Sequence, residues 1–531
     1  MNELKRRQFL KLLSAAGATT SLGGATSLFP TLARANELGD YKALVVLFLH
    51  GGNDSFNMLV PLGSEAGTGY QSYAESRGIM AINNSDLNPF ASSLGAFQQR
   101  RLDDGSNPYA STDDASAYKK GVYKFNDVGI NGMMPELAQL IIDRKASVVA
   151  NIGTLVEPVT KETLQTAKLP PFLYAHNHQQ RAIETGWADN LSAGGWAGRL
   201  ADMWGVHQGA INGGSPLGMN VSYAGATRLM TADYNSPVVL SPGSTQLFPN
   251  NAGFDKAIFN SLNSPSSNDQ ALHRVFKAAS SGAVALSDTL AQIDTAAFDT
   301  LQDPYGNPLF TNPSAGDLGL SKQLPGRALN ALKSAAHMVK LGSELGLGRQ
   351  IVFVGMGGFD THSALLNTHP LLLREISLAT WSFQAAMDSL DLAEKVTLFS
   401  ASDFGRSLGN NGDGTDHAWA GHNILVGGAV NGGAMIGAMP DMTLGGASDT
   451  GKKGRMIPTL AVDQYLATLC SWFGVEDNDM TGLFPNLENF KSSESDPISS
   501  AYLPGMLNTQ ATTEGNLLTP VSDLLSQLGL G

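Results

Sequence analysis

Histidine, aspartate and glycine gather in five short segments of this 531-residue chain, each close to an apolar run. After the run 43–49 comes His50-Gly51-Gly52-Asn53-Asp54-Ser55, and after 350–354 comes Gly358-Phe359-Asp360-Thr361-His362. After 395–400 comes Ser402-Asp403-Phe404-Gly405-Arg406. Just before 423–426 comes Gly414-Thr415-Asp416-His417, followed by His422. At a longer remove after 146–152 comes His176-Asn177-His178-Gln179-Gln180. Glycine lets a backbone turn tightly against a ligand, and Asp and His are hard-to-borderline metal ligands. Carboxylates at strand ends beside several imidazoles form the inventory for one or two divalent ions. Paired ions neutralise the charge that develops when an oxyanion ester is cleaved. Taken singly, Asp54 or Asp403 reads equally well as a cap of a helix or turn. Their shared placement favours chemistry for the set.

The elements that must position these residues follow from the apolar pattern. Continuous apolar runs at 43–49, 146–152, 350–354, 395–400 and 423–426 predict strands buried on both faces. Helical periodicity fills 135–144, 271–297, 328–341, 370–390 and 459–473. Strands separated by helices predict an α/β fold with a mostly parallel sheet covered on both faces. In such a sheet ligands bind beyond the carboxyl ends of the strands, where these segments fall. Residues 62–130 read as loops over the sheet edge. Residues 205–265 read as loop with short strands at 219–222 and 237–240, and 299–324 and 488–515 also read as loop. No linker is sharp enough to divide residues 36–531 into independent domains.

Composition narrows the classes. There are 34 Lys+Arg against 47 Asp+Glu, a net charge of −13, and charged residues make up only 15%. That balance argues against nucleic acid, whose backbone needs a basic face. The single cysteine, Cys470, lies in an apolar run and reads as a buried thiol, so no disulfide joins the chain to itself. Residues 1–35 read as a twin-arginine signal peptide: Arg6-Arg7 precede Phe9-Leu10, residues 12–33 carry no charge, and Ala33-Arg34-Ala35 is a small-x-small cleavage pattern. Residues 12–33 hold too much Gly, Ser and Thr for a stable membrane span. The expectation is a periplasmic or otherwise exported protein that folds before meeting the twin-arginine export machinery.

Three stretches together resemble an exported bacterial family of unknown function, the domain-of-unknown-function family 1501, which is distantly related to the alkaline phosphatase and sulfatase superfamily. They are Phe48–Pro61, Gly358–His362, and Ser402–Arg406 with Gly414–His417. The resemblance implies an alkaline-phosphatase-like three-layer α/β/α fold with a central mostly parallel sheet. It implies one or two divalent ions (Zn, Mg, Mn or Ca) and a small anionic substrate or ligand. As metal ligands it implies Asp54 after the first strand, the pair Asp360 and His362, then Asp403, and a last histidine at His417 or His422. Where the superfamily has an Asp-His pair, this chain has Asp403-Phe404. Where it places a nucleophilic hydroxyl or formylglycine-forming Cys at a helix start, this chain has Ala175, beside His176. A formylglycine sulfatase is thereby excluded, and attack by metal-activated water is the remaining route.

His176 and Arg406 are the candidate catalytic residues. Arg406 either grips an anionic substrate bidentately or pairs with a carboxylate at the sheet end. Gly405-Arg406-Ser407-Leu408-Gly409 matches the nucleophile elbow of serine hydrolases but is followed by loop, not helix, so it reads as chance. Ser55 reads as a turn residue and His369, before Pro370, as a surface histidine near a helix start. His207, His273 and His337 read as structural or solvated, and Trp187, Trp196 and Trp204 as core. Two functions remain: a metal-dependent hydrolase of a phosphate or sulfate ester or related anion, or a non-catalytic periplasmic binding protein that retains the fold.

Overall fold

The computed structural model describes residues 40–87, 114–206, 211–244, 256–264, 266, 268–304, 306–316, 318 and 320–508. The twin-arginine leader and His207 lie outside the described residues. In chain order the elements are β1 (Lys42–His50), β2 (Leu59–Pro61), α1 (Tyr70–Arg77), α2 (Asp114–Lys119), β3 (Val122–Phe125), β4 (Val128–Asn131), α3 (Pro135–Ile142) and β5 (Ala146–Gly153). Next come α4 (His176–Thr185), α5 (Trp196–Met203), β6 (Asn220–Ser222), β7 (Val238–Val239), α6 (Lys256–Asn263), α7 (Ala271–Leu290) and α8 (Arg327–Glu344). The remainder is β8 (Arg349–Gly357), α9 (Leu365–Ser389), β9 (Val396–Ser402), β10 (Arg406–Asn410), β11 (Thr415–His417), β12 (Gly421–Val426), β13 (Met435–Ile436), β14 (Leu460–Ala461), α10 (Val462–Phe473) and α11 (Asp477–Leu483).

The central sheet runs β13-β5-β12-β9-β1-β8-β6-β7, with β14 also on β5. Strand β1 is its spine, parallel to β8 from Lys42↔Arg349 to His50↔Gly357 and parallel to β9 up to Leu49↔Ser402. Successive side chains of a strand point to opposite faces. Ala43, Val45, Leu47 and Leu49 therefore join one core with Leu137 of α3, Leu332 of α8 and Ile376 of α9. Leu44, Val46 and Phe48 join the other, with Trp196 and Leu200 of α5 and Leu466 of α10. Helices thus cover both faces, the reason the runs read as continuously apolar. Each buried Leu, Val or Phe contributes about 1.5–3 kcal/mol relative to exposure.

Three features depart from the sequence expectation. First, 62–130 is not simply loop: it holds α1 and, with β2, an antiparallel three-stranded sheet ordered β2-β4-β3. The buried face of α1 consists of Tyr73, Ser76 and Arg77, so no aliphatic stripe announces it. Second, β12 runs antiparallel to both neighbours, β5 and β9. Residues preceding that strand consequently lie at the carboxyl edge of the others. Third, α9 begins at Leu365 and carries Pro370 inside it. His369 is accordingly buried within the helix, not a surface residue. No helix among the described residues is long and apolar enough to cross a membrane.

Candidate metal centre

Strands β1, β8 and β9 are parallel and in register, so the segments after them open at one edge of the sheet. The reversed β12 brings its preceding segment to that edge, and β10 pairs antiparallel with β11 to set Arg406 opposite His417. Gly51 and Gly52 hold the turn after β1 at φ +113° and +79°. A Cβ on Gly51 would lie 2.4 Å from the Asp360 backbone nitrogen, and one on Gly52 2.6 Å from the Phe404 ring. Only residues without side chains let these three loops close on one another.

There the structure brings together His176, Asp360 and His417, whose ligand atoms all lie within 4.8 Å of one another. The partners of each imidazole decide its tautomer. His417 Nδ1 sits 2.7 Å from the Tyr174 carbonyl, which can only accept, so Nδ1 carries the proton and Nε2 a lone pair. His176 Nδ1 lies 2.6 Å from Asp403 Oδ2 and donates to that carboxylate, leaving its Nε2 bare, buried and without a partner among the described residues. Both Nε2 atoms face Asp360 Oδ1, His417 at 3.3 Å and His176 at 3.6 Å. Two lone pairs turned on a carboxylate oxygen repel unless a cation or proton stands between them. Phe404 walls the cluster with its ring 4.7 Å from both imidazoles.

His362 sits beside the trio. Its Nε2 lies 2.8 Å from His417 Nε2 and 3.2 Å from Asp360 Oδ1, and its Nδ1 is 3.4 Å from Asp416 Oδ1. Burial pushes the Asp360 carboxyl up, but the hydrogen bond and charge of Arg406, then His362 and His176, hold it below the usual range. Burial lowers His417 first; the Tyr174 carbonyl opposes this, and the charges of His176, Arg406 and His362 add to it. A lowered imidazole is neutral at pH 7, the form that ligates.

The other expected site residues fall elsewhere. Asp403 is an outer partner: Oδ2 accepts from His176 and from the Gly51 N–H at 3.1 Å. Arg406 is fully buried and donates inward, to Asp360 Oδ1 at 2.7 Å, the Gly51 carbonyl at 3.2 Å and Thr415. Of its two sequence readings, the carboxylate pair is the observed one; no guanidinium fork is left for a substrate. Asp54 does not enter the cluster. It is fully buried in an ion pair with Arg77 at 2.5 Å. Neither does His422: its Nδ1 accepts from the Asn151 N–H at 3.0 Å, so its Nε2 carries the proton and has no lone pair to offer. Of the two histidines the sequence left open, His417 stands in the cluster.

Ala175 is the N-cap of α4, with no hydroxyl to attack from there. Ser407 lies in strand β10, outside the strand–turn–helix context an elbow needs. Sequence reasoning missed Asp416, although it adjoins His417, and the Tyr174 carbonyl, which no side-chain pattern signals.

Behind this edge lies a second polar network. His369 Nε2 donates to Asn53 Oδ1 at 2.8 Å, and its Nδ1 accepts from the Tyr118 hydroxyl at 2.7 Å. Arg77 Nε and the Tyr73 hydroxyl both donate to Asn57 Oδ1. This network anchors the Asn53–Asn57 turn, and through it Gly51 and Gly52.

Residues 343–483 match the model of a family described as a protein of unknown function, DUF1501. The matched span holds Asp360, His362, Asp403, Arg406 and His417, whereas Asp54 and His176 lie outside it. No curated protein and no solved structure matches the chain. The family match supports the resemblance to domain-of-unknown-function family 1501 read from the sequence motifs.

Proposed function

We propose that His176, Asp360 and His417 hold one divalent cation. The protein on this reading is an exported metal-dependent hydrolase of a phosphate or sulfate ester, or a related anion, on an alkaline-phosphatase-like frame. One observation carries the reading. Two imidazoles have their Nδ1 protons committed, one to Asp403 and one to the Tyr174 carbonyl, and their Nε2 lone pairs converge with a carboxylate. Outer partners of that kind orient ligating histidines and raise their basicity. Three protein donors leave coordination positions open, the mark of a catalytic rather than a structural site. A His₂-carboxylate set suits Zn or a neighbouring transition metal better than Ca, which prefers all-oxygen shells.

When bound, such an ion lowers the pKa of a coordinated water and polarises the ester oxygen. With Ala175 at the head of α4, direct attack by water replaces a covalent intermediate. Arg406 orients Asp360, and the half-exposed His362 stands within reach of the same locus to exchange a proton with the leaving group.

Metal analysis of the purified, folded protein tests this, with a panel of chromogenic phosphate and sulfate esters. The expected result is near-stoichiometric metal in the wild type, lost in Asp360→Asn, with ester turnover tracking metal content. The inward-turned Arg406 and missing nucleophile favour the second reading, a non-catalytic binding protein; bound metal without turnover of any ester selects it. Export is checked by Arg6-Arg7→Lys-Lys, which is expected to abolish the periplasmic fraction.

A further inference from the structure

Beside Asp403 lies a cavity of about 30 Å³ that His176 does not line. Apolar residues such as Ile152, Ile183 and Leu466 form much of its wall, but Asp403, His422 and Ser55 line it too. Two buried polar atoms belonging to these residues have no partner among the described residues: Asp403 Oδ1 and His422 Nε2. Leaving either unmatched costs about 1–3 kcal/mol, so a native fold rarely does so without an occupant.

Their chemistry identifies that occupant. His422 Nδ1 accepts from the Asn151 N–H, so His422 Nε2 is a donor. Asp403 Oδ1 is an acceptor, its sister Oδ2 being taken by His176 and Gly51. A cation would face the His422 N–H, and an anion would face the Asp403 carboxylate. A small neutral group that both accepts and donates satisfies both atoms, and the volume suits one or two waters. Ser55 Oγ accepts from the His422 backbone N–H at 2.8 Å, which leaves its own hydroxyl hydrogen free to turn into the same space. Burial pushes His422 down to about 3, so it remains a neutral imidazole at working pH.

We propose that an ordered water in this cavity accepts from His422 Nε2 and donates to Asp403 Oδ1, making His422 a positioning residue for His176. The carboxylate would otherwise be held on one oxygen only and free to rotate away from the His176 Nδ1 proton. Held on both, it fixes the plane of the imidazole whose Nε2 enters the cluster. The role in metal affinity rests on the proposed metal site; the water itself does not.

Two measurements test it. A crystal structure of the wild-type protein with resolved solvent is expected to show water within hydrogen-bonding distance of both His422 Nε2 and Asp403 Oδ1. Cobalt(II) titration then compares His422→Phe, which keeps a ring against Phe56 but has no donor, with His422→Gln, which keeps both an acceptor for Asn151 and an N–H. The Phe variant is expected to bind about tenfold more weakly and the Gln variant to stay within about threefold of wild type, the scale typical of outer partners. Should the Phe variant fail to fold, the Gln variant and the density still decide. A dry cavity overturns the proposal, as does equal affinity of folded Phe and wild-type protein. If wild type binds no cobalt, the metal reading falls instead, and the density alone judges the water.

Discussion

The two polar regions at the carboxyl edge of the sheet use the same residue types to opposite ends. In the interior, Asp54, Arg77 and His369 are all fully buried and bond to other protein groups, with Asp54 Oδ1 alone of the pair's carboxylate oxygens lacking a partner among the described residues. At the surface, Asp360 is about half exposed (48%), the bare His176 Nε2 faces it without a hydrogen-bond partner among the described residues, and the His417 Nε2 faces it while also accepting from His362 Nε2 at 2.8 Å. The lesson is that a carboxylate or imidazole becomes a candidate ligand by what is left over after its neighbours are served. Asp54 spends its charge on Arg77, while Asp360 shares Arg406 with two carbonyls and still faces three imidazoles. The interior network then acts as the footing of the exposed one, because Asn53 links His369 to the Gly51–Gly52 turn.

The contrast breaks most sharply at Arg77. Arg77→Met strands the buried Asp54 carboxylate and is expected to cost about 3–5 kcal/mol of stability, as loss of one partner of a buried pair does. Metal bound per folded molecule should remain unchanged. Urea unfolding with metal analysis of the folded fraction checks both, and metal loss at full stability would show that Asp54 belongs to the site.

Next in size is acid lability. Burial lowers His369 to about 4 and His422 to about 3, against 6.5 in an unfolded chain. Between these values the unfolded state binds more protons than the folded one, so stability falls as pH falls. Each histidine contributes a slope of about 1.4 kcal/mol per pH unit below pH 6.5. Unfolding midpoints at pH 6.5 and 4.5 measure it; equal stability at the two would mean these imidazoles are not buried neutral.

The exposed region should respond in the opposite currency. His417→Ala is expected to weaken metal binding at least about hundredfold, since even outer partners are worth about 10–100-fold. Stability of the metal-free protein should shift by less than about 1 kcal/mol, because the side chain is partly exposed. A titration of metal against both proteins decides between loss and retention. The smallest effect is expected of Asp403→Asn, which keeps the shape but weakens the hold on His176 Nδ1. Metal affinity should drop by about tenfold, at the lower end of that range. No change would mean that the Gly51 N–H and backbone packing alone position His176.

Much of this architecture was legible without coordinates. The five apolar runs became β1, β5, β8, β9 and β12, and two marginal ones at 219–222 and 237–240 contain β6 and β7. The helical periods at 135–144 and 328–341 contain or lie within α3 and α8. These signals are local: a strand buried on both faces must be apolar at every position, whatever its partners. The segments read as pure loop failed where the buried face was polar, as in α1, whose Tyr73 and Arg77 point inward to Asn57. Polar burial leaves no periodic trace, because each side chain is matched to a partner far away in sequence.

What the sequence determined by itself is the roster and the edge. Aspartates and histidines placed just beyond apolar runs must collect at the carboxyl ends of a parallel sheet, since side chains cannot escape the strands that carry them. Only the tertiary structure decided which of them hold lone pairs in common. It reversed β12, so that His417 reached the cluster and His422 turned its ring toward Asn151. It paired Asp54 with Arg77 across a segment with no aliphatic stripe, and it set His176 from α4 against Asp403, 227 residues away. The physical reason is that ligand character depends on the competition for each proton and lone pair, and that competition is settled by neighbours brought together only when the chain folds.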